Sequence, residues 1–120
     1  YDYVVDAIDT VSGKIELVLQ AQNAGAKIIS SMGAGNKIDP CAFKVADIYK
    51  TSVCPLARVM RTELKKRGVK KLKVVYSDEI PSNQVNKEEV KGKYVPASCA
   101  FIPSVAGLII ASEVIKDLIN

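Results

Sequence analysis

Apolar residues recur along the chain in two patterns, one typical of buried strands and one typical of amphipathic helices. Short apolar runs rich in strand formers predict buried strands at Tyr3–Val5, Lys27–Met32 and Leu72–Ser77. Apolar residues three or four positions apart predict a helix over Thr10–Gln22 and a second helix that starts at Pro55 and ends at the glycine at position 68.

Two weaker elements complete the pattern. A short strand is predicted over Ala42–Asp47, and a final helix follows Phe101, with Ser104 as its candidate N-cap. The polar interval Asp78–Val95 separates this helix from the third strand, and we expect a mobile loop at 81–93. The side of the final helix predicted to pack contains Val105, Leu108, Ile109, Ser112, Ile115 and Ile119.

The order of these elements is strand, helix, strand, short strand, helix, strand, loop, helix. Helices between strands favour parallel pairing, so the sequence predicts an α/β fold with a mostly parallel sheet. So few strands would leave a hydrophobic edge open. The chain also begins inside a predicted strand, with Tyr1 rather than Met. We therefore expect one domain or less, a piece of a longer protein that is completed by upstream residues or by a second copy.

Composition narrows the functional classes. With 120 residues, 48% of them hydrophobic and 25% charged, the chain is of the globular class. Its apolar runs are far shorter than the roughly 20 residues of a membrane span, and no basic leader precedes Thr10. We expect a cytoplasmic protein without a membrane partner. The absence of histidine excludes a Ser-His-Asp or Cys-His arrangement within the chain.

The three cysteines, Cys41, Cys54 and Cys99, are odd in number and widely separated. This pattern indicates reduced thiols rather than a disulfide framework. A nucleophilic thiol needs a neighbouring cation or a helix N-terminus, and we expect all three cysteines to be buried and inert.

Positive charge is concentrated in one stretch. The net charge is +4, but the sixteen residues from Arg58 to Lys73 contain eight lysines and arginines and a single acid, Glu63. Such a run suits the phosphates of a nucleic acid, and the alternative is a solvated helix face. Tyr76 and Tyr94 could stack on bases, although packing explains them better. The candidate nucleic-acid contacts are Arg58, Arg61, Lys65, Lys66, Lys70 and Lys71.

Two carboxylates, Asp6 and Asp9, stand where the first strand ends. In open α/β sheets, ligands bind at the carboxyl ends of strands, and a carboxylate there can hold a divalent cation. The alternative is that an aspartate merely caps the following helix, an explanation we favour for one of the two. Gly33 and Gly35 follow the second strand, where they allow a close ligand approach or form a simple turn.

The chain resembles the ThiF/MoeB/HesA superfamily of ubiquitin-activating-like adenylating enzymes, and most closely its branch of tRNA threonylcarbamoyladenosine dehydratases. The resemblance covers most of the chain outside Pro81–Lys93. The matching residues are Asp2-Tyr-Val-Val-Asp-Ala-Ile-Asp9, Lys14, Gly33-Ala-Gly35, Ile38-Asp39-Pro40, Asp47-Ile48, Lys50-Thr51, Pro55-Leu-Ala-Arg58, Arg61, Leu64, Phe101-Ile-Pro-Ser-Val-Ala-Gly-Leu108 and Ala111-Ser-Glu113.

The resemblance implies ATP and Mg²⁺ as cofactors. It places Asp9 beside the nucleotide phosphates and the metal as the catalytic residue, with Asp6 and Lys14 as further cofactor-binding residues. Thr10 stands where relatives usually have Asn, and Cys54 where they often have Asp.

The function implied is that of a dehydratase which uses ATP to activate and cyclise the carbamoyl-threonine side chain of a modified adenosine in tRNA. Such chemistry needs no protein nucleophile, in agreement with the lack of histidine. Two alternatives stay open. One is an adenylating enzyme for a ubiquitin-like sulfur-carrier protein, and the other is a non-catalytic dimerisation module. We expect a homodimer.

One departure from the superfamily is larger. The phosphate loop Gly-x-Gly-Gly-x-Gly, with the Arg and Lys that follow it, is absent from this sequence. Residues 1–120 are therefore expected to be the C-terminal portion of a ThiF-like adenylating domain, inactive when isolated, with the N-terminal nucleotide-binding half missing.

Overall fold

The computed structural model describes residues 1–33, 38–79 and 101–120. The order of its elements confirms the predicted order, and the predicted loop at 81–93 lies outside the described residues. The helices and strands are β1 (Tyr3–Asp6), α1 (Val11–Asn23), β2 (Lys27–Ser31), β3 (Phe43–Asp47), α2 (Pro55–Lys66), β4 (Lys73–Ser77) and α3 (Phe101–Ile119). Short 3-10 turns, Pro40–Ala42 and Ile48–Lys50, flank β3.

The four strands form one sheet in the order β1-β2-β4-β3. β1, β2 and β4 are parallel, with Val5 beside Ile29. β3 runs antiparallel to β4 at one edge, with Val45 opposite Val75. The predicted α/β class with a mostly parallel sheet is therefore confirmed.

Helices cover both faces of this sheet. α1 and α2 pack on one face, where Val18, Met60 and Val74 are fully buried in the larger core. On the opposite face, Val75 and Ile29 pack with α3. Neighbouring residues of β4 thus enter different cores, as the two-residue period of a strand requires.

The packed side of α2 differs in one position from the stripe that helical spacing predicts, which consists of Leu56, Val59, Met60 and Leu64. Val59 belongs to that stripe but is exposed, whereas Ala57 is fully buried beside Met60 and Leu64. A small residue at position 57 lets the helix approach the sheet, and this leaves Val59 on the outer surface.

The N-terminus of α1 is capped by Thr10, whose Oγ1 accepts a hydrogen bond of 3.2 Å from the backbone N–H of Gly13. The interpretation of Asp6 or Asp9 as this cap was therefore wrong. Thr10 has the extended backbone of an N-cap and stands directly before the first helical residue. Both carboxylates are left free of that structural role.

α2 begins as predicted at Pro55, which occupies the first helical position. Cys54 is its N-cap, and the Cys54 Sγ lies 3.5 Å from the backbone nitrogen of Ala57. Gly68 follows the helix with φ of 77°, the left-handed conformation that glycine adopts without strain. Val53 also has a left-handed φ, of 62°, although a β-branched side chain disfavours it.

The start of α3 corrects one prediction. The helix spans Phe101–Ile119, so Ser104 lies inside its first turn and is not its cap. Pro103 is tolerated there because the first N–H groups of a helix have no intrahelical partner.

The predicted packed side of α3 is confirmed only in part: Ile109 packs against the core of Ile29 and Val75, whereas most of the predicted side is exposed. Ile102, Ala106 and Ile110 are buried against the sheet. Leu108 is 71% exposed, and Ile115 and Ile119 are exposed to a similar degree. Apolar residues surround this helix on all sides, so their spacing alone did not select the packed face.

Polar contacts fix which face of α3 meets the sheet. The Lys73 amine of β4 lies 3.1 Å from the Glu113 carboxylate and 2.8 Å from that of Asp117. The Tyr3 hydroxyl of β1 donates a hydrogen bond of 2.6 Å to Asp117. Burial, this hydrogen bond and the charge of Asp117 together raise the pKa of Tyr3 to about 12. These partners turn Glu113 and Asp117 inward and leave Leu108, Ile115 and Ile119 outward.

Candidate functional site

The carboxyl ends of β1, β2 and β4 share one edge of the sheet, because these three strands are parallel. Asp6 is the last residue of β1, and Asp9 lies in the turn that leads to α1. The Asp9 side chain is exposed and accepts no hydrogen bond from any described residue. Of the two predicted carboxylates, only Asp9 is therefore available to a ligand at this edge.

Asp6 is fully buried behind the edge and has a partner for each oxygen. Its Oδ1 accepts a hydrogen bond of 3.0 Å from the backbone N–H of Ile8. Its Oδ2 accepts one of 2.5 Å from the Ser30 hydroxyl and lies 3.5 Å from the Lys14 amine. The charge of Asp6 is thus compensated within the protein.

Lys14 is only 2% exposed, although it is a lysine near the start of a surface helix. Its amine donates a hydrogen bond of 2.5 Å to the backbone carbonyl of Ser31. Burial lowers the pKa of Lys14, while the charges of Asp6 and, more weakly, Asp9 act to raise it. The side chain therefore joins α1 to the end of β2.

The structure brings the three residues predicted to bind the cofactor, Asp6, Asp9 and Lys14, to one place. It also adds Ser30, which no motif indicated. The sequence does contain a sign of this polar residue, because two serines at positions 30 and 31 interrupt the apolar run of the second strand. Ser30 lies directly beside Asp6 in the parallel register, and its hydroxyl is fully buried.

No cluster of three or more histidine, cysteine or acidic side chains suited to a metal ion occurs in the described part of the chain. One kind of metal site, a cluster of three or more such side chains, is thus not found among these residues. A magnesium ion bound mainly by phosphates needs only one or two carboxylates. The exposed carboxylate of Asp9 fits that second kind of site.

The helix that carries most of the basic run starts near the same edge. The Cys54 Sγ, at the N-cap of α2, lies 3.7 Å from the Met32 carbonyl, just beyond the end of β2. At the opposite end of the sheet, Gln22 near the end of α1 donates a hydrogen bond of 3.3 Å to the carbonyl of Lys71, which precedes β4. The basic run thus extends from Arg58, near the carboxyl edge, to Lys71 at the opposite edge.

Some basic side chains of the run form hydrogen bonds or ion pairs within the protein, and others do not. Arg61 donates to the carbonyl of Thr51 at 3.2 Å and also bonds its hydroxyl. Lys66 and Arg67 pair with Glu63 at 3.4 and 2.9 Å, and this lowers the pKa of Glu63. The exposed side chains of the run that have no ion pair or hydrogen bond within the described residues are those of Arg58, Lys65, Lys70 and Lys71.

Other sequence candidates take structural positions or lie outside the described residues. Tyr76 is buried in the core, so packing explains it as expected. Cys54 is buried but Cys41 is exposed, which corrects the prediction that all three cysteines are buried. Cys41 lies in the surface 3-10 turn before β3. Residues 34–37, and with them the second glycine of the Gly-Ala-Gly motif, lie outside the described part, as do Tyr94 and Cys99.

None of the described helices is both long and apolar enough to pass through a lipid bilayer.

Comparison with curated proteins decides the relationship. The tRNA threonylcarbamoyladenosine dehydratase of Bacillus subtilis is 46% identical over 130 residues, covering 99% of this chain and 51% of that protein. This chain is homologous to part of the tRNA threonylcarbamoyladenosine dehydratases. The dehydratase 2 of Saccharomyces cerevisiae is 48% identical over 81 residues, covering 67% of this chain and 18% of that protein. No family model matches the chain.

Solved dehydratase structures share the fold. The Escherichia coli tRNA N6-threonylcarbamoyladenosine dehydratase in complex with ATP superposes with a TM-score of 0.64 at 29% identity, covering 95% of this chain and 50% of that one. The same enzyme in complex with AMP gives the same TM-score. The resemblance read from the sequence is therefore confirmed. The chain spans about half the length of the Bacillus subtilis dehydratase and of the solved Escherichia coli dehydratase.

Proposed function

We propose that this chain is part of an ATP-dependent dehydratase that acts on the threonylcarbamoyl group of a modified adenosine in tRNA. The observation that carries the proposal is the carboxyl edge of the sheet, where Asp9 presents a free carboxylate beside the start of α1. The similarity to dehydratases solved with ATP and AMP supports the nucleotide as cofactor. The unpaired cysteines at positions 41 and 54 are in keeping with a cytoplasmic protein.

In this proposal Asp9 is the catalytic residue and would supply one carboxylate ligand to the Mg²⁺ that accompanies the nucleotide. Bound ATP with Mg²⁺ supplies the activation, since adenylation turns a carboxylate oxygen of the substrate into a good leaving group. Asp9 is suited to hold the metal because its carboxylate is exposed and is not used by a helix cap. Asp6 and Lys14 support the turn from behind.

The tRNA is proposed to contact the basic run along α2. The helix spans twelve residues, or about 18 Å at the helical rise of about 1.5 Å per residue. Arg58 stands at its start, near the carboxyl edge, while Lys70 and Lys71 follow its end. A phosphate backbone lying along this helix would therefore lead toward the edge that holds Asp9.

We further propose that the full protein is a homodimer. The support is the outer side of α3, where Leu108, Ile115, Leu118 and Ile119 are all more than half exposed. Apolar residues exposed side by side on one helix favour an interface. Sedimentation of the chain should show self-association that Ile115→Lys weakens, whereas a monomer at high concentration would contradict the proposal.

The decisive experiment replaces the homologous residues of the Bacillus subtilis dehydratase with this chain and supplies ATP, Mg²⁺ and threonylcarbamoyl-modified tRNA. We expect the modified nucleoside to lose the mass of one water. Asp9→Asn should abolish this loss while the fold is kept, and Asp2→Asn, an exposed aspartate ahead of β1, is the matched control. Full turnover by Asp9→Asn would contradict the role of Asp9. Activation of a carrier protein without action on tRNA would favour the sulfur-carrier alternative.

The isolated chain should bind ATP weakly or not at all. Its sequence lacks the Gly-rich loop whose backbone N–H groups cradle phosphates in the superfamily. Calorimetric titration of the 120 residues with ATP and Mg²⁺ measures this directly. An affinity in the low micromolar range would show that the residues of this chain are enough to hold the nucleotide.

A further inference from the structure

Three secondary-structure elements meet in one buried polar network behind Asp9. Asp6 from β1 and Ser30 from β2 are fully buried, and Lys14 from α1 is nearly so. The Ser30 hydroxyl donates to Asp6 at 2.5 Å, and the Lys14 amine lies 3.5 Å from the same oxygen. No buried side-chain nitrogen or oxygen of the described residues lacks a partner. The network is therefore complete without any ligand.

The network acts on the turn that carries Asp9 through one hydrogen bond. The second oxygen of Asp6 accepts the backbone N–H of Ile8, the residue directly before Asp9, at 3.0 Å. An aspartate that bonds the N–H two residues later fixes the local backbone as an Asx turn does. The orientation of the Asp6 carboxylate thus determines where this turn lies.

The far end of the turn is held independently by the start of α1. Thr10 caps the helix at Gly13, and a Cβ at position 13 would lie 2.7 Å from the Thr10 hydroxyl and 2.9 Å from Ile8 Cγ2. The turn therefore packs tightly against the first turn of α1. Asp9 lies between two anchored points, the Ile8 amide and the Thr10 cap.

We propose that Ser30 is a positioning residue for Asp9: its hydroxyl holds the Asp6 carboxylate in the orientation that fixes the Ile8 amide and so places Asp9 at the edge of the sheet. The inference rests on the proposed function of Asp9. Ser30 itself is fully buried, so it acts through Asp6 rather than at the surface. Lys14 holds Asp6 from a second side and is fastened by the Ser31 carbonyl at 2.5 Å.

Stability alone does not account for such a network. Burying a carboxylate and an ammonium costs desolvation energy that their attraction only partly repays, and apolar replacements of similar volume are often neutral. The network instead has a geometric consequence. The register of β1 beside β2 places Asp6 next to Ser30. Through the network, this fixed pairing also fixes the position of the turn that follows β1.

The test compares Ser30→Ala, Ser30→Thr and the control Ser31→Ala. Ser31 is the next residue of the strand, and Lys14 bonds its backbone carbonyl, so removal of its side chain leaves that contact intact. In the 120-residue chain, Ser30→Ala should accelerate hydrogen exchange of the Ile8 amide about tenfold, the factor for weakening one hydrogen bond to a charged group. Ser30→Thr, which keeps the hydroxyl, should restore protection, and Ser31→Ala should leave it unchanged.

The same variants are then assayed in the chimaeric dehydratase. Ser30→Ala should lower kcat about tenfold with little change in the KM for tRNA, because Asp9 is displaced while the nucleic-acid surface is not. An unchanged Ile8 amide, or a kcat that falls only with the folded fraction, would overturn the proposal. An inactive wild-type chimaera would instead refute the proposed function, and the exchange measurement would still decide whether Ser30 fixes the turn.

Discussion

The structure divides the basic run into free and occupied charges, and this division makes a quantitative prediction for tRNA binding. Lys65 and Lys70 are exposed without partners among the described residues. Lys66 and Arg67 carry the same charge but are bonded to Glu63. Removal of either pair lowers the net charge by two. Only removal of the free pair should delete phosphate contacts.

The expected size of the effect follows from counterion release. Each phosphate neutralised by a lysine or arginine contributes about 0.7 for single strands, and about 0.9 for duplex, to the slope of log affinity against log salt. The double variant Lys65→Ala/Lys70→Ala should therefore flatten the slope by about 1.4 to 1.8. With Arg58 and Lys71 also replaced, all four free charges are lost, and the slope should flatten by about 2.8 to 3.6.

The assay is fluorescence anisotropy of labelled tRNA with the chimaeric dehydratase, titrated at salt concentrations from about 50 to about 200 mM. The charge-matched control is Lys66→Ala/Arg67→Ala, which should change the slope clearly less than the free pair. Equal effects of the two pairs would mean that net charge alone matters and that the side-chain contacts are irrelevant. No effect of the quadruple variant would make the run a solvated helix face and would favour the sulfur-carrier alternative.

Three further predictions concern stability. Burial and Asp117 raise the pKa of Tyr3 from 10.0 to about 12 in the folded protein. The contribution of Tyr3 to the free energy of unfolding is therefore complete below pH 10 and is lost as the pH rises toward 12. Urea titrations of Tyr3→Phe should show a shallower loss over that range, and an identical pH profile would exclude this linkage. Val53→Asn should raise the free energy of unfolding by about 1 kcal/mol, because asparagine tolerates the left-handed backbone that strains valine; a decrease in the urea midpoint would refute the strain. Gly13→Ala should lower the free energy of unfolding by about 1 kcal/mol, because the added methyl group displaces the Thr10 cap. This loss should exceed the gain from the better helix propensity of alanine. A gain of stability in thermal unfolding would show that the turn adapts.

The elements of the fold were predictable in two situations, a helix with one buried side and a strand buried on both faces. The helix around Met60 has a clear periodicity, and the strand around Val74 is a short apolar run; both lie where the sequence places them. The direction of β3 was not predictable, since a short strand after a turn can pair either way. The packed side of α3 could not be read because Leu108 and Ile115 are as apolar as the buried Ile110.

The location of the candidate site was predictable from the sequence, but the separate roles of its two carboxylates were not. The sequence places Asp6 and Asp9 at the end of a strand, yet spacing does not tell which carboxylate is buried. That distinction depends on Ser30, whose hydroxyl reaches Asp6 only through the parallel pairing of β1 with β2. Lys14 has the same limitation, since its burial depends on a backbone carbonyl of a neighbouring strand.

The ionic contacts of α3 also decide a question of helix register. Its buried residues Ile102, Ala106 and Ile110 are spaced by four, so a slip of about one turn, or about 5.4 Å, would present a similar apolar row to the sheet. Hydrophobic contact is non-directional and distinguishes such alternatives poorly. The bonds from Lys73 and Tyr3 to Asp117 have one geometry only. These directional contacts therefore fix the position of α3 along the sheet.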